Sequence, residues 1–156
     1  MTHKDKDKFK IETTKKKAEI FFPDESHLDG FFFASPRAQV HEGCEFVFDL
    51  LTSERNALPF ELMDGEMVVL QKHGVAMVAL EGNELNKNLP SQEKIAVQVC
   101  FISGKTIEGY AYINLPKTHS RLSDFLNLHT EFFYLEVDDK DFLINSHFIK
   151  MVRENS

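Results

Sequence analysis

The two halves of this chain follow the same order of apolar and turn residues, and that repetition limits the fold more than any single motif. In the first half Ala18, Ile20 and Phe22 alternate, and Gly30 leads into Phe31, Phe32 and Phe33. In the second, Val97, Val99 and Phe101 alternate, and Gly109 leads into Tyr110, Ala111 and Tyr112. Phe22/Phe101 and Gly30/Gly109 are identical, 79 positions apart. Further on the spacing is 75: Asp49/Asp124, Leu51/Leu126, Glu61/Glu136 and Asp64/Asp139 are identical, while Leu58/Phe133, Phe60/Leu135, Leu62/Val137, Val68/Leu143 and Val69/Ile144 stay apolar. Near the end it becomes 74, aligning Val75/Ile149, Met77/Met151 and Val78/Val152. Spacings that drift by so few residues put the insertions in loops, as a tandem duplication does.

Each copy reads as a β-β-α-β-β-β unit. Strands are expected near 18–22, 30–34, 57–63, 66–71 and 74–80, and again near 96–102, 107–113, 131–137, 141–145 and 148–153. Val47, Leu50 and Leu51 recur at i, i+3 and i+4, as do Leu122, Phe125 and Leu126, so each copy has one short helix with a buried stripe. Ser120 suits the N-cap of the second helix and Asn127 its end. The expected fold is therefore mainly β with short helices, a tandem duplication forming two packed small barrels or rolls, or one pseudo-twofold sandwich, around a shared core. Its divisions are a disordered basic tail (1–17), a first repeat (18–80), a polar linker (81–94) and a second repeat (95–153).

A chain of 156 residues is long enough to bury a core of this kind. Its aromatic content is skewed to fifteen Phe with three Tyr and no Trp, so most rings belong to cores or interfaces rather than to hydrogen-bonding sites. Cys44 and Cys100 are too few for a disulfide framework, and reduced thiols in a cytoplasmic protein are expected. No apolar stretch reaches membrane-spanning length and the N-terminus has no signal-peptide core, so the protein is expected to be soluble. Net charge is −7, yet residues 1–17 hold seven Lys against three acids, leaving −11 on the rest. An acidic body argues against nucleic acid on the fold itself. Lys15, Lys16 and Lys17, at the end of the basic segment, are the candidate contacts for nucleic acid or an anionic membrane.

The Phe-rich strands are two-faced. Alternation puts Phe21 and Phe32 opposite an expected core of Phe22, Phe31 and Phe33, while the second copy has the small Cys100 and Ala111 at the matching positions. Phe21 and Phe32 are therefore the candidate interaction face, toward the other copy or toward another chain, the alternative being a strand simply buried within a sandwich.

The strings VFDLLTSERNALPFELMDGE and RLSDFLNLHTEFFYLEVDDK resemble a family of small bacterial β-rich domains of unknown function, present here in two copies over roughly 18–80 and 95–153. The shared pattern is a strand pair, a D-[LF]-L-N-like helix end, an aromatic or proline step and a terminal hairpin; Thr52 replaces the Asn in the first copy. The resemblance implies no catalytic residues.

The polar residues support no stronger assignment. Asp49 and Asp124, with Asn127, are duplicated or motif positions embedded in apolar helices, which suits bonding to nearby backbone N–H groups. His41 and Cys44 form a lone H-x-x-C, His119, His129 and His147 have no counterparts, and Asp138-Asp139-Lys140-Asp141 lacks the glycine and distal Glu of a calcium loop. No nucleophile motif or phosphate-binding glycine loop is present. The expectation is a non-enzymatic protein-binding or scaffolding module of a bacterial cytoplasm, without metal or cofactor, that meets a protein partner or itself. The alternatives are a binder of nucleic acid or membrane through its Lys-rich tail, and a small-ligand carrier or enzyme with a cavity between the repeats.

Overall fold

The computed structural model describes residues 13–39, 41–115 and 121–155. The first half runs β1 (Thr14–Phe21), β2 (His27–Ala34), a first helix (Val47–Leu51), β3 (Ala57–Leu62), β4 (Met67–Gln71), a 3₁₀ turn (Lys72–Gly74) and β5 (Met77–Leu80). The second runs β6 (Glu93–Phe101), β7 (Thr106–Ile113), a second helix (Arg121–Leu128), β8 (Phe132–Val137), β9 (Lys140–Asn145), a 3₁₀ turn (Ser146–Phe148) and β10 (Ile149–Glu154). The fold is mainly β, and the element order is the same in both halves.

All ten strands belong to one antiparallel sheet in the order β10-β6-β7-β8-β9-β5-β1-β2-β3-β4. Within each half the order is fifth, first, second, third, fourth. Five strands laid flat would span about 19 Å between outer strands. Yet Leu70 of β4 and Val78 of β5, from opposite ends of the first half-sheet, share one buried cluster with Ile20, Phe32 and Phe60. The connection between those two ends, residues 72–76, includes the compact 3₁₀ turn and is too short to cross that width, so the half-sheet curls around the cluster, which also holds Val47, Leu50 and Leu51 of the first helix.

Register carries the repeat into three dimensions. Ala18 faces Gly30 and Val97 faces Gly109; Phe31 faces Glu61 and Tyr110 faces Glu136. A Cβ on Gly30 would lie 2.1 Å from the Glu61 carbonyl oxygen, and one on Gly109 2.4 Å from that of Glu136, so both glycines answer the same close approach of the third strand. One expected alignment slips. Phe60 faces Val68, but Leu135 faces Phe142, so Val68 matches Phe142, Val69 matches Leu143 and Leu70 matches Ile144. The cause is the turn between these strands. Asp138 and Asp139 both take positive φ in a two-residue hairpin, whereas Met63-Asp64-Gly65 is one residue longer and has positive φ at Gly65.

The same register corrects the expected faces. Gly30, Phe32 and Ala34 point with Ala18 and Ile20 into the core, and Phe32 is fully buried with its ring edge-on to Phe60 at 5.0 Å. Phe31 and Phe33 point outward and are only partly covered. Phe32 is thus a core residue of its own half and no part of an interaction face.

The boundaries move as well. Thr14–Lys17, expected in the tail, extend β1 because the far end of β2 needs a partner: Thr14 pairs with Ala34 and Lys17 with Phe31. The rest of the tail, residues 1–12, lies outside the described residues. The linker closes earlier than expected, since Glu93 and Lys94 already pair with Ile113 and Tyr112.

The halves meet head to tail. β5, the fifth strand of the first, pairs with β9, the fourth of the second: Met77 with Ile144, Val78 with Leu143, Ala79 with Phe142. A pseudo-twofold would require equivalent strands to meet, so that arrangement gives way to a translation-like repeat of one curled unit. Instead of one shared core there are two that exchange side chains. Phe132 and Leu143 of the second half enter the first cluster, and Met77 enters the second, with Phe21 packed at its margin.

Candidate functional site

The joint between the halves leaves an apolar cleft of about 370 Å³. Its walls are the β1–β2 turn (Phe21, Phe22, Pro23), the start of β5 (Ala76, Met77), the β6–β7 turn (Phe101, Ile102) and Phe148. Backbone bonds hold these pieces in place: Ala76 N–H donates to the Phe21 carbonyl at 2.9 Å, Ile102 N–H to that of Phe148 at 2.8 Å, and Asn145 N–H to that of Ala76 at 2.9 Å. Asn145, itself buried, also donates from Nδ2 to the Val75 carbonyl at 2.8 Å. Polar groups stand at the rim: Glu25, Ser103, Lys105 and His147. The Lys105 ammonium lies 5.0 Å from the centroid of the Phe21 ring. Ile102 is 65% exposed, a large apolar side chain held against water at the cleft wall.

Of the two residues expected to form an interaction face, the structure brings only Phe21 to this cleft. The cleft was not readable as a motif, because its four pieces come from turns far apart in the chain. The one hint was the duplicated Phe22/Phe101 pair, both of whose members line it.

The tail lysines are engaged with the fold. Lys15 Nζ reaches Glu61 at 2.7 Å and lies over the Phe31 ring, and Lys17 approaches Glu81 at 3.7 Å. With Lys16 they edge a second groove, which Glu84 and Phe46 also line. As members of β1, these lysines are part of a strand and not of a free basic tail.

Asp49 accepts from the Phe46 N–H at 2.7 Å at the start of the first helix, and from His41 Nε2 at 2.6 Å. The His41 ring stacks on Phe46 with centroids 4.0 Å apart. The His41 imidazole is held above its usual pKa, by its bond to the Glu42 carbonyl and then by Asp49. Asp124 sits in the first turn of the second helix, and Asn127 is exposed within that helix, one residue short of its end.

The linker is pinned by a network with no precedent in the repeat. Asp141, fully buried, accepts from the N–H groups of Glu84 and Leu85 at 2.7 and 2.8 Å. Lys87 joins Glu136 at 2.6 Å and Asp141 at 2.9 Å. Burial opposes the charge on Lys87, but the bonds to Glu136 and Asp141 outweigh it and raise its pKa; the Glu136 carboxyl is pulled down, chiefly by Lys87. Glu84 in turn accepts from Val47 N–H at 2.7 Å and from the Tyr134 hydroxyl at 2.8 Å. Burial pushes the Glu84 carboxyl above the usual range despite these donors. This network ties the linker, the first helix and β9 together.

Glu19, His27 and Asp29 offer ligand atoms within 4.8 Å of one another on β1 and β2. Glu19 and Asp29 face each other across the ladder, and burial followed by the bond to Asp29 raises the Glu19 carboxyl. His27 and Asp29 are exposed, so the group is a solvated cross-strand cluster able to accept a cation but not built around one. Sequence reasoning passed over it, since nothing in spacing alone sets His27 beside Glu19. No helix among the described residues is long and apolar enough to cross a membrane.

Comparison with known proteins finds no family, no curated protein and no solved structure that matches this chain.

Proposed function

We propose that the chain is a non-enzymatic binding module of a bacterial cytoplasm, and that the cleft between its halves receives an apolar side chain of a partner protein. The observation that carries this reading is the cleft itself: aromatic and aliphatic walls, a polar rim, and rigid backbone bonds between its pieces. Such a concavity suits the few apolar anchors that dominate protein recognition. The resemblance to small bacterial domains of unknown function belongs to the same reading. Ser103 is the hydroxyl at the rim, and its Oγ accepts from the Lys105 N–H at 3.4 Å. Among the described residues no hydrogen bond joins it to His147, the base a nucleophile there would need.

A second reading follows from volume. Small-ligand pockets begin at about 300 Å³, so the cleft also suits a compact apolar molecule. One substitution tests both. Ile102→Glu places a charge on an exposed wall residue, so folding should be unchanged while occupancy is lost. The expected result is a protein partner captured by the native chain and released by Ile102→Glu at unchanged melting temperature. A bound small molecule in native mass spectrometry, lost with the same substitution, would favour the second reading. Capture indifferent to Ile102→Glu would remove the cleft from the function.

A further inference from the structure

The internal joint uses one fifth strand and one fourth strand, and among the described residues the sheet ends in the same two kinds of strand with no further strand beside them. β4 is the fourth strand of the first half and β10 the fifth strand of the second, and each lies at an outer edge of the sheet. We propose that β10 of one chain pairs antiparallel with β4 of a second copy, repeating between molecules the joint that β5 and β9 make within one.

The equivalences already established assign the register. Met77, Val78 and Ala79 correspond to Met151, Val152 and Arg153, since both sets pair with matching positions of β1 and β6. Ile144, Leu143 and Phe142 correspond to Leu70, Val69 and Val68. Between copies Met151 therefore faces Leu70, Val152 faces Val69, and Arg153 faces Val68.

Burial marks these edges as unfinished. Inside the molecule Met77 is 3% and Leu143 0% exposed; their counterparts Met151 and Val69 are 38% and 68% exposed. Asn145, which donates to the Val75 carbonyl, corresponds to the exposed Gln71, whose amide would reach the Ile149 carbonyl of the next copy. β4 (MVVLQ) carries no charge and no proline, the devices that keep a free edge from pairing. The assigned register also sets Arg153 of β10 diagonal to Glu66, which flanks β4, while Glu154, the other charge at that end of β10, faces the uncharged Met67. Because the two edges differ, each pairing leaves one of each free, and the contact propagates into a closed ring or an open chain.

The test uses two variants of the full chain, Val69→Asp and Met151→Asp, each altering an exposed residue of one edge. Sedimentation of the native protein should show assemblies larger than a dimer that grow with concentration. Each variant alone should sediment smaller, with its melting curve unchanged. Mixed, they should form a one-to-one dimer and nothing larger, because only the intact β10 of one and the intact β4 of the other can meet; a mass tag on one variant identifies that dimer by native mass spectrometry. A native protein that is monomeric at every concentration overturns the proposal. So does a closed dimer that both variants leave intact, or a mixture that forms no heterodimer. None of these outcomes depends on the cleft, so the binding reading stands or falls separately.

Discussion

Gly30 and Gly109 show how far single residues reach in this fold. Each admits the backbone carbonyl of the glutamate that faces the next residue, where a methyl group would collide. The Phe32 ring enters the first core between Gly30 and Ala34, so Phe32→Ala should lower stability by about 3–5 kcal/mol, the range for a buried aromatic. Denaturant unfolding measures the loss, and sedimentation should stay as in the native chain; a changed association state at unchanged stability would return Phe32 to a surface role. The glycine pair was legible from its identical place in both copies. The facing of Phe32 was not, because three successive phenylalanines hide a period of two and a slip of one position exchanges the faces. His41 gives a pH-dependent counterpart. Its folded pKa is raised, so the stability it adds is complete below about pH 6.5 and fades as pH rises through the higher folded value. Melting temperatures of the native protein and His41→Asn should therefore differ most near pH 5.5 and converge in alkaline buffer. A gap that widened toward high pH would contradict the His41–Asp49 contact.

Among elements, the helices and most strands were readable because their apolar spacing repeats within a few residues. The linker was not. Residues 81–92 look like a polar spacer, yet Asp141, 57 positions beyond Glu84, holds their backbone, and Glu84 holds the first helix and Tyr134. Local composition carries no trace of a contact made over that separation. The consequence is measurable. Asp141→Ala leaves the Glu84 and Leu85 N–H groups without their acceptor and Lys87 with Glu136 alone, and each buried donor left unpaired costs about 1–3 kcal/mol. The amides of Glu84 and Leu85 should then exchange rapidly with solvent, while Asp141→Asn, which keeps an acceptor oxygen, should restore part of both losses. Protected Glu84 and Leu85 amides in Asp141→Ala would mean that the linker is held by other contacts.

At the scale of the whole molecule, the mainly β character and the like order of elements in the two halves were legible but the relation between the halves was not, because alignment says nothing about which edges meet. The structure answers with β5 against β9, a pairing of unlike strands, and with two cores that trade residues across it. The trade bears on whether a half can exist alone. In a fragment of residues 93–156 Phe132 and Leu143 would lose the cluster that buries them, β9 would lose β5, one of its two partner strands, and Asp141 would lose the N–H groups of Glu84 and Leu85. A unit of that length buries only about 60% of its unfolded surface in any case, so the lost contacts fall on a marginal balance. The fragment should show no cooperative melt by circular dichroism, and adding residues 13–92 should restore one at a one-to-one ratio. A sharp monomeric transition in the fragment alone would show that the exchanged side chains are dispensable, and that the two curled units are independent domains set side by side.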